Sequence, residues 1–162
     1  MTTVTLALGS NLGDRLANLR GAVALLQERG VPAIRCSGVW ETDPVPADQP
    51  RYLNAVIAAE TALTPIALLA VAKEVEYLLG RRPSRRWGAR PADIDILFYG
   101  DQRIDEPALQ VPHPRIAERG FVLAPLAEVT AGPLPILTRT ALDLLAAVGT
   151  ARLTRTAHSL LP

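Results

Sequence analysis

The apolar residues between positions 3 and 99 repeat with two different periods, and the order in which those periods alternate limits the chain to few folds. Thr3 to Leu8 alternates as a short strand and stops at Gly9. Ser10 and Asn11 then offer a helix N-cap, and Leu12, Leu16, Leu19, Val23 and Leu26 follow on one helical face. Gly30 stands where a helix C-terminus favours glycine. Ala33 to Trp40 reads as a second strand and Tyr52 to Glu60 as a third, separated by a loop at 43–51 that carries Pro44, Pro46 and Pro50. Thr64-Pro65 opens a second helix, with Leu68, Ala72, Val75 and Leu79 on its buried side and Gly80 at its end. After an arginine-rich loop at 81–91, Ala92 to Tyr99 forms a fourth strand. The order strand, helix, strand, strand, helix, strand predicts an α+β fold with a ferredoxin-like βαββαβ core and an antiparallel sheet. Beyond Pro107, residues 123–129 and 138–148 read as short helices that cover the other sheet face, which makes three layers, α/β/α. One domain over residues 1–162 is expected.

Charge narrows the function classes through its placement. The net charge of +1 does not argue for nucleic acid. Of the 17 basic residues only Lys73 is lysine, and five arginines (Arg81, Arg82, Arg85, Arg86 and Arg90) fall between 81 and 90 with no acid among them. Such a cluster suits bidentate phosphate recognition, and it would serve equally as a solvated surface loop. No run of 18 apolar residues occurs and the N-terminus lacks a basic-then-apolar leader, so a cytoplasmic protein without a membrane span is expected. Cys36, the single cysteine, lies in an apolar segment and reads as a small hydrophobe.

The arginine loop runs directly into Asp93-Ile94-Asp95. Side chains alternate along a strand, so Asp93, Asp95, Leu97 and Tyr99 are expected on one face and Ile94, Ile96 and Phe98 on the other. Carboxylates two positions apart have Cα atoms roughly 6.5–7 Å apart and can converge on a hard cation. The same pair could form a solvated strand face, although aspartate is depleted in strands and like charges repel. Arg90 lies three residues before Asp93, so cationic and metal-binding groups meet as phosphoryl transfer requires. The glycine-lysine phosphate loop of P-loop enzymes is absent. Trp87, followed by Gly88, suits either stacking on a flat ring or anchoring its loop. Tyr52 and Asn54 share a strand face, and an amide can read the edge of a heterocycle. His113 is held between two prolines, and Arg119-Gly120-Phe121 adds a cation and an aromatic ring.

Taken together these segments resemble the 6-hydroxymethyl-7,8-dihydropterin pyrophosphokinase family of folate biosynthesis. The resemblance rests on Leu8-Gly9-Ser10-Asn11-Leu12, Tyr52-Leu53-Asn54-Ala55, Gly80-Arg81, Arg86-Trp87-Gly88 with Arg90, Asp93-Ile94-Asp95-Ile96-Leu97, and Val111-Pro112-His113-Pro114-Arg115 followed by Glu118-Arg119-Gly120-Phe121. It implies a magnesium-dependent transferase that moves the β,γ-pyrophosphate of ATP to the pterin's hydroxymethyl group and releases AMP. It further implies that Asp93 and Asp95 hold two magnesium ions, with Arg81 and Arg90 catalytic. Glu76, Arg85, Trp87, Arg90, Ile96, Gln110, His113 and Arg119 would bind the nucleotide. Thr42, Asp43, Val45, Tyr52, Asn54, Trp87 and Phe121 would bind the pterin. A monomer acting on small molecules, without nucleic acid or membrane, is the expectation that follows.

The chain departs from the family's pattern at Pro46, Pro83, Ala89 and Pro91. Two other classes compete. A ferredoxin-like RNA-binding module needs exposed aromatics on its central strands, against an aromatic content of 4%. A metal-dependent phosphohydrolase would use Asp93 and Asp95 but leaves Trp87 and Asn54 without a purpose.

Overall fold

The structure is a computed structural model that describes residues 1–44, 48–80 and 89–161. The first strand, β1 (Thr2–Ser10), lies in the interior of a six-stranded sheet, paired on both sides. Helix α1 (Arg15–Glu28) follows, capped by Asp14, whose Oδ1 accepts the Ala17 N–H at 3.1 Å. The expected cap at Ser10-Asn11 is therefore corrected. Strand β1 stays paired through Ser10, and Asn11 is engaged elsewhere. At the far end Gly30 adopts φ +85°, the Gly30 N–H bonds Gln27 O, and the Val31 N–H reaches back to Leu26 O, closing the helix as the glycine predicts.

The segment expected as one strand from Ala33 to Trp40 is two, β2 (Ala33–Cys36) and β3 (Gly38–Thr42). They divide at Ser37, whose backbone N–H donates to Val56 O while its Oγ accepts the Val56 N–H. A hydroxyl thus replaces a carbonyl at the break. Strand β4 (Tyr52–Thr61), helix α2 (Pro65–Leu78) with its Thr64 cap, and strand β5 (Asp93–Tyr99) complete the core close to their expected bounds. Four elements went unread in the sequence. A hairpin of β6 (Ile104–Glu106) and β7 (Leu109–Val111) precedes a turn of 3-10 helix at Ile116–Glu118. Helices α3 (Gly120–Val129) and α4 (Ala141–Val148) follow, each differing by three residues at its start from the expected span. Strand β8 (Leu153–Ser159) then adds to the sheet beside β3. Its sequence hides it, because only Leu153 and Thr156 are even half-buried.

The strand order is β5-β1-β4-β3-β8 with β2 also on β4, and the strand pairs of this sheet among the described residues run antiparallel. This is the expected ferredoxin-like core extended by one edge strand. Helices α1 and α2 bury Val4, Leu6, Leu8, Leu53, Ala55, Ile57, Ile94 and Ile96 on one face. Helices α3 and α4 bury Ala7, Val56, Leu97 and Phe98 on the other. A β-bulge against Thr5 and Leu6 of β1 changes the alternation of β5 after Ile96. Phe98 therefore packs beneath α3, and Tyr99 turns to the α1/α2 side, where its hydroxyl donates to Leu63 O at 2.6 Å. The expectation that Tyr99 shares the Asp93 face, and Phe98 the Ile94 face, is overturned by that single extra residue.

Candidate active site

Residues from four strands meet at one end of the α3/α4 face. Gly9 on β1 stands directly opposite Asn54 on β4 and Asp93 on β5. Asn54 faces Trp40 on β3, and Tyr52 faces Thr42. Directly opposed residues share a face, so Asp93, Gly9 and Asn54 form one row across three strands. A Cβ on Gly9 would meet Asn54 Oδ1 at 3.2 Å and the Tyr52 ring at 3.4 Å. The glycine is therefore a low floor, with the amide oxygen and the phenol leaning over it. Asn54 is buried and donates from Nδ2 to Thr42 Oγ1 at 2.9 Å, which assigns the amide orientation and leaves Oδ1 over the floor.

Asp93 is held from two sides. The Arg90 guanidinium donates from Nη1 to Oδ1 at 3.1 Å, and the Tyr52 hydroxyl donates to Oδ2 at 3.4 Å. Burial opposes the charge on Arg90, yet the charge of Asp93 and its hydrogen bond, with Tyr52 and Glu76 nearby, outweigh it and hold the guanidinium pKa above its ordinary value. Asp95 lies two residues along the same face, opposite Ala7. The two aspartates thus offer hard oxygen donors on a half-buried strand end, a donor set that fits a magnesium ion taking its remaining positions from water and phosphate.

His113 reaches the same end from the segment after β7. Its backbone N–H donates to Leu97 O at 3.3 Å, and its ring Nδ1 accepts the Arg115 N–H, also at 3.3 Å. In the neutral ring that leaves Nε2 as the donor. Burial pushes the His113 pKa down, Asp95 pulls it up, and Arg119 and Arg115 push it down further, with a lowered value as the result. Asp95, His113 and Arg119 therefore share one electrostatic neighbourhood. Arg119 precedes α3 and lies over the Phe121 ring at 5.7 Å from its centroid. Gly120 packs α3 tightly against β8: a Cβ there would meet Gly149 O at 3.2 Å and Leu153 at 3.3 Å. Leu153 pairs with Thr42, which sets the start of α3 against the strand beside Thr42, and Phe121 on that helix is 36% exposed.

Other expected members lie differently. The Glu76 carboxylate is buried at the back of β5, where Oε2 accepts the Ile94 N–H at 2.8 Å and Oε1 lies 3.5 Å from Lys73 Nζ. Ile96 points its side chain into the α1/α2 core, leaving only its backbone for a ligand. Gln110 is exposed on β7, paired with Asp105. Asp43 is turned to Arg51, with Oδ1 3.3 Å from its Nε. Arg81, Arg85, Trp87 and Val45 lie outside the described residues, as do Arg82, Pro83 and Pro46.

Two supports of the site went unread in the sequence. Glu41 accepts from Arg15 at 2.8 Å and from Arg51 at 3.4 Å, tying the ends of the 43–51 segment to α1, and these arginines hold its carboxyl below the usual range. Asn11 bonds the backbone on both sides of the site, at Pro50 and at Arg90. An asparagine at a strand-to-helix turn was the available signal, and it was spent on a helix cap.

A family model described as 7,8-dihydro-6-hydroxymethylpterin-pyrophosphokinase matches residues 5–131. A 2-amino-4-hydroxy-6-hydroxymethyldihydropteridine pyrophosphokinase of Bacillus subtilis is 49% identical over 126 residues, covering 76% of this chain and 75% of that protein. One of the same name from Methylorubrum extorquens is 44% identical over 131 residues, covering 80% and 83%. A mitochondrial folate synthesis bifunctional protein of Arabidopsis thaliana is 48% identical over 127 residues, but this chain spans only 23% of its length. Among solved structures, an HPPK-DHPS of Plasmodium falciparum with pteroate superposes at a TM-score of 0.74 with 14% identity, over 90% of this chain and 44% of that one. An HPPK-DHPS in complex with substrates reaches 0.77 at 12% identity, over 95% and 47%. At such identities the structural likeness establishes the fold.

Proposed function

The chain belongs to the 7,8-dihydro-6-hydroxymethylpterin-pyrophosphokinase family, and from that premise we propose that it transfers pyrophosphate from ATP to 6-hydroxymethyl-7,8-dihydropterin, giving AMP and the pterin pyrophosphate. The observation that carries the proposal is the row Asp93–Gly9–Asn54. Two strand spacings, roughly 9.5 Å, separate a carboxylate suited to metal-bound phosphates from an amide suited to a heterocycle edge. Only a glycine lies between them. Donor and acceptor can thus lie side by side on one floor.

Asn54 Oδ1 and the backbone near Thr42 read the pterin edge, and Phe121 supplies a ring face. Arg90 and Arg119 hold phosphate oxygens, and His113 donates from Nε2. Asp93 and Asp95 would hold two magnesium ions, which would neutralise the charge that develops in transfer. The pterin hydroxyl oxygen bonds to the β-phosphorus and gives up its proton to solvent, the bond from that phosphorus to the α–β bridging oxygen breaks, and AMP leaves with that oxygen. Arg90 is well placed to act here because Asp93 fixes its guanidinium before substrate arrives, so little reorganisation remains. Arg81, Arg85, Trp87 and Val45 are assigned to the same site by family resemblance, within a single domain spanning 1–162. No helix among the described residues is long and apolar enough to cross a membrane.

The test is AMP release with ATP, magnesium and hydroxymethyldihydropterin. AMP should form in step with pterin pyrophosphate. Folded protein that makes neither would overturn the reading, and inorganic phosphate in place of AMP would favour a phosphohydrolase.

A further inference from the structure

Asn11 follows the last residue of β1 and is 1% exposed. Its side-chain amide and its backbone N–H are bonded to backbone rather than to solvent. Its Oδ1 accepts the Arg90 N–H at 2.6 Å, its own N–H donates to Arg90 O at 3.0 Å, and its Nδ2 donates to Pro50 O at 3.3 Å. Both backbone groups of Arg90 thus belong to one residue. The pair extends the β1–β5 ladder past Gly9 and Asp93, with a side-chain oxygen standing in for a carbonyl. Asn11 is itself braced, since Asn18 Nδ2 donates to Leu12 O at 2.9 Å and to Ser10 Oγ at 3.3 Å.

The two segments that Asn11 grips lead into two of the groups that hold Asp93. Arg90 bonds one carboxylate oxygen, and Tyr52, two residues beyond Pro50, bonds the other. A shift of either segment would therefore move Asp93 and its partners together. A merely structural amide would satisfy whichever backbone lay nearest, whereas this one ties together two segments that are 39 and 79 residues away from it.

We propose that Asn11 is a positioning residue for the transfer reaction, setting Arg90 against Asp93 and locking the β4 and β5 entries in one register. This deepens the pyrophosphokinase reading and rests on it for its kinetic consequence. It acts through Arg90 and touches neither substrate.

The test combines kinetics with amide hydrogen exchange. In Asn11→Ala, kcat should fall about 100-fold, the scale on which a 1 Å misplacement is felt, while the KM for pterin changes less than about threefold on the same argument. Asn11→Asp keeps an oxygen acceptor for the Arg90 N–H and should retain kcat within about tenfold of the parent. Because Asn11 acts through Arg90, the Asn11→Ala/Arg90→Ala double variant should lie within about threefold of Arg90→Ala alone. Losses that multiply, or equal losses in Asn11→Ala and Asn11→Asp, overturn the proposal. Exchange in the ligand-free protein reads position without turnover. The Arg90 amide should be protected in the parent and in Asn11→Asp, and should lose protection in Asn11→Ala while the amides of β1 keep theirs. Unprotected Arg90 in the parent overturns the inference, and so does its loss in Asn11→Asp should Asn11→Ala fail to fold. A parent that makes no AMP overturns the reaction assignment alone, since exchange still decides the positioning.

Discussion

The two faces of the sheet are built from the same strands and finished differently. On the α1/α2 face the apolar set runs to the strand ends: Leu8 and Leu53 at one end of the β1–β4 pair, with Ile94 beside them on β5. On the α3/α4 face it stops short. Beyond Ala7 comes Gly9, beyond Val56 come Asn54 and Tyr52, and before Leu97 come Asp95 and Asp93. Residues that hold the fold and residues suited to the chemistry therefore alternate at a period of two along each strand. The site lies where the second apolar layer ends, and the complete layer beneath keeps its floor rigid. Neighbouring positions should consequently fail in different ways.

The sharpest break of that contrast is Asp95→Ala. Turnover should fall on the order of 10³-fold, as for loss of a preorganised charge partner, with pterin binding and the melting temperature little changed. Normal AMP release would remove Asp95 from the proposed metal site. Its counterpart is Leu8→Ala, which deletes a buried side chain of the complete face. Urea unfolding should show a loss of about 2–5 kcal/mol, while kcat per folded molecule stays near the parent value. An equal loss of kcat would show that the faces are not separable. Gly9→Ala sits one residue further along the same strand and tests the floor. The new methyl meets Asn54 and Tyr52 at close range, so pterin affinity by titration should weaken about tenfold, at a stability cost of ~1 kcal/mol. Unchanged affinity would mean that the pterin does not lie over Gly9.

The smallest effect concerns the ion pairs behind the site. Hydrogen bonds from Arg15, against partial burial and with help from Arg51, hold the Glu41 carboxyl below 4.5. A carboxyl with a lowered folded-state pKa contributes stability that is present above its unfolded value. That stability is lost as pH falls through the folded value. Glu41→Gln should therefore flatten the fall in melting temperature below about pH 4.5, slightly, because the carboxylate is partly solvated and salt screens it. An unchanged acid limb would dismiss the network as a stabiliser of the 43–51 ends.

Much of the fold was legible because its signals are local. Thr64-Pro65 begins α2, and Gly30 and Gly80 end their helices through contacts within a few residues. The paired aspartates were legible for the same reason, since strand alternation alone sets Asp93 and Asp95 on one face. Strand β8 was not, because an edge strand that is mostly exposed carries no apolar alternation. Nor was the backbone role of Glu76 legible, because its helix brings the carboxylate under the free edge of β5, where it receives the Ile94 N–H.

What the chain determined by itself is the alternation of strands and helices in its βαββαβ core, the caps of its second helix, and the set of residue types able to bind phosphate, magnesium and a flat ring. What only tertiary structure decided is how these meet. The bulge opposite Thr5 and Leu6 exchanges the faces of Phe98 and Tyr99. The register sets Gly9 between Asn54 and Asp93. The 79-residue reach from Asn11 to Arg90 places a guanidinium on the first aspartate. Local periodicity depends on neighbours in the chain, whereas register, bulges and buried amides depend on partners that only folding brings within 3 Å.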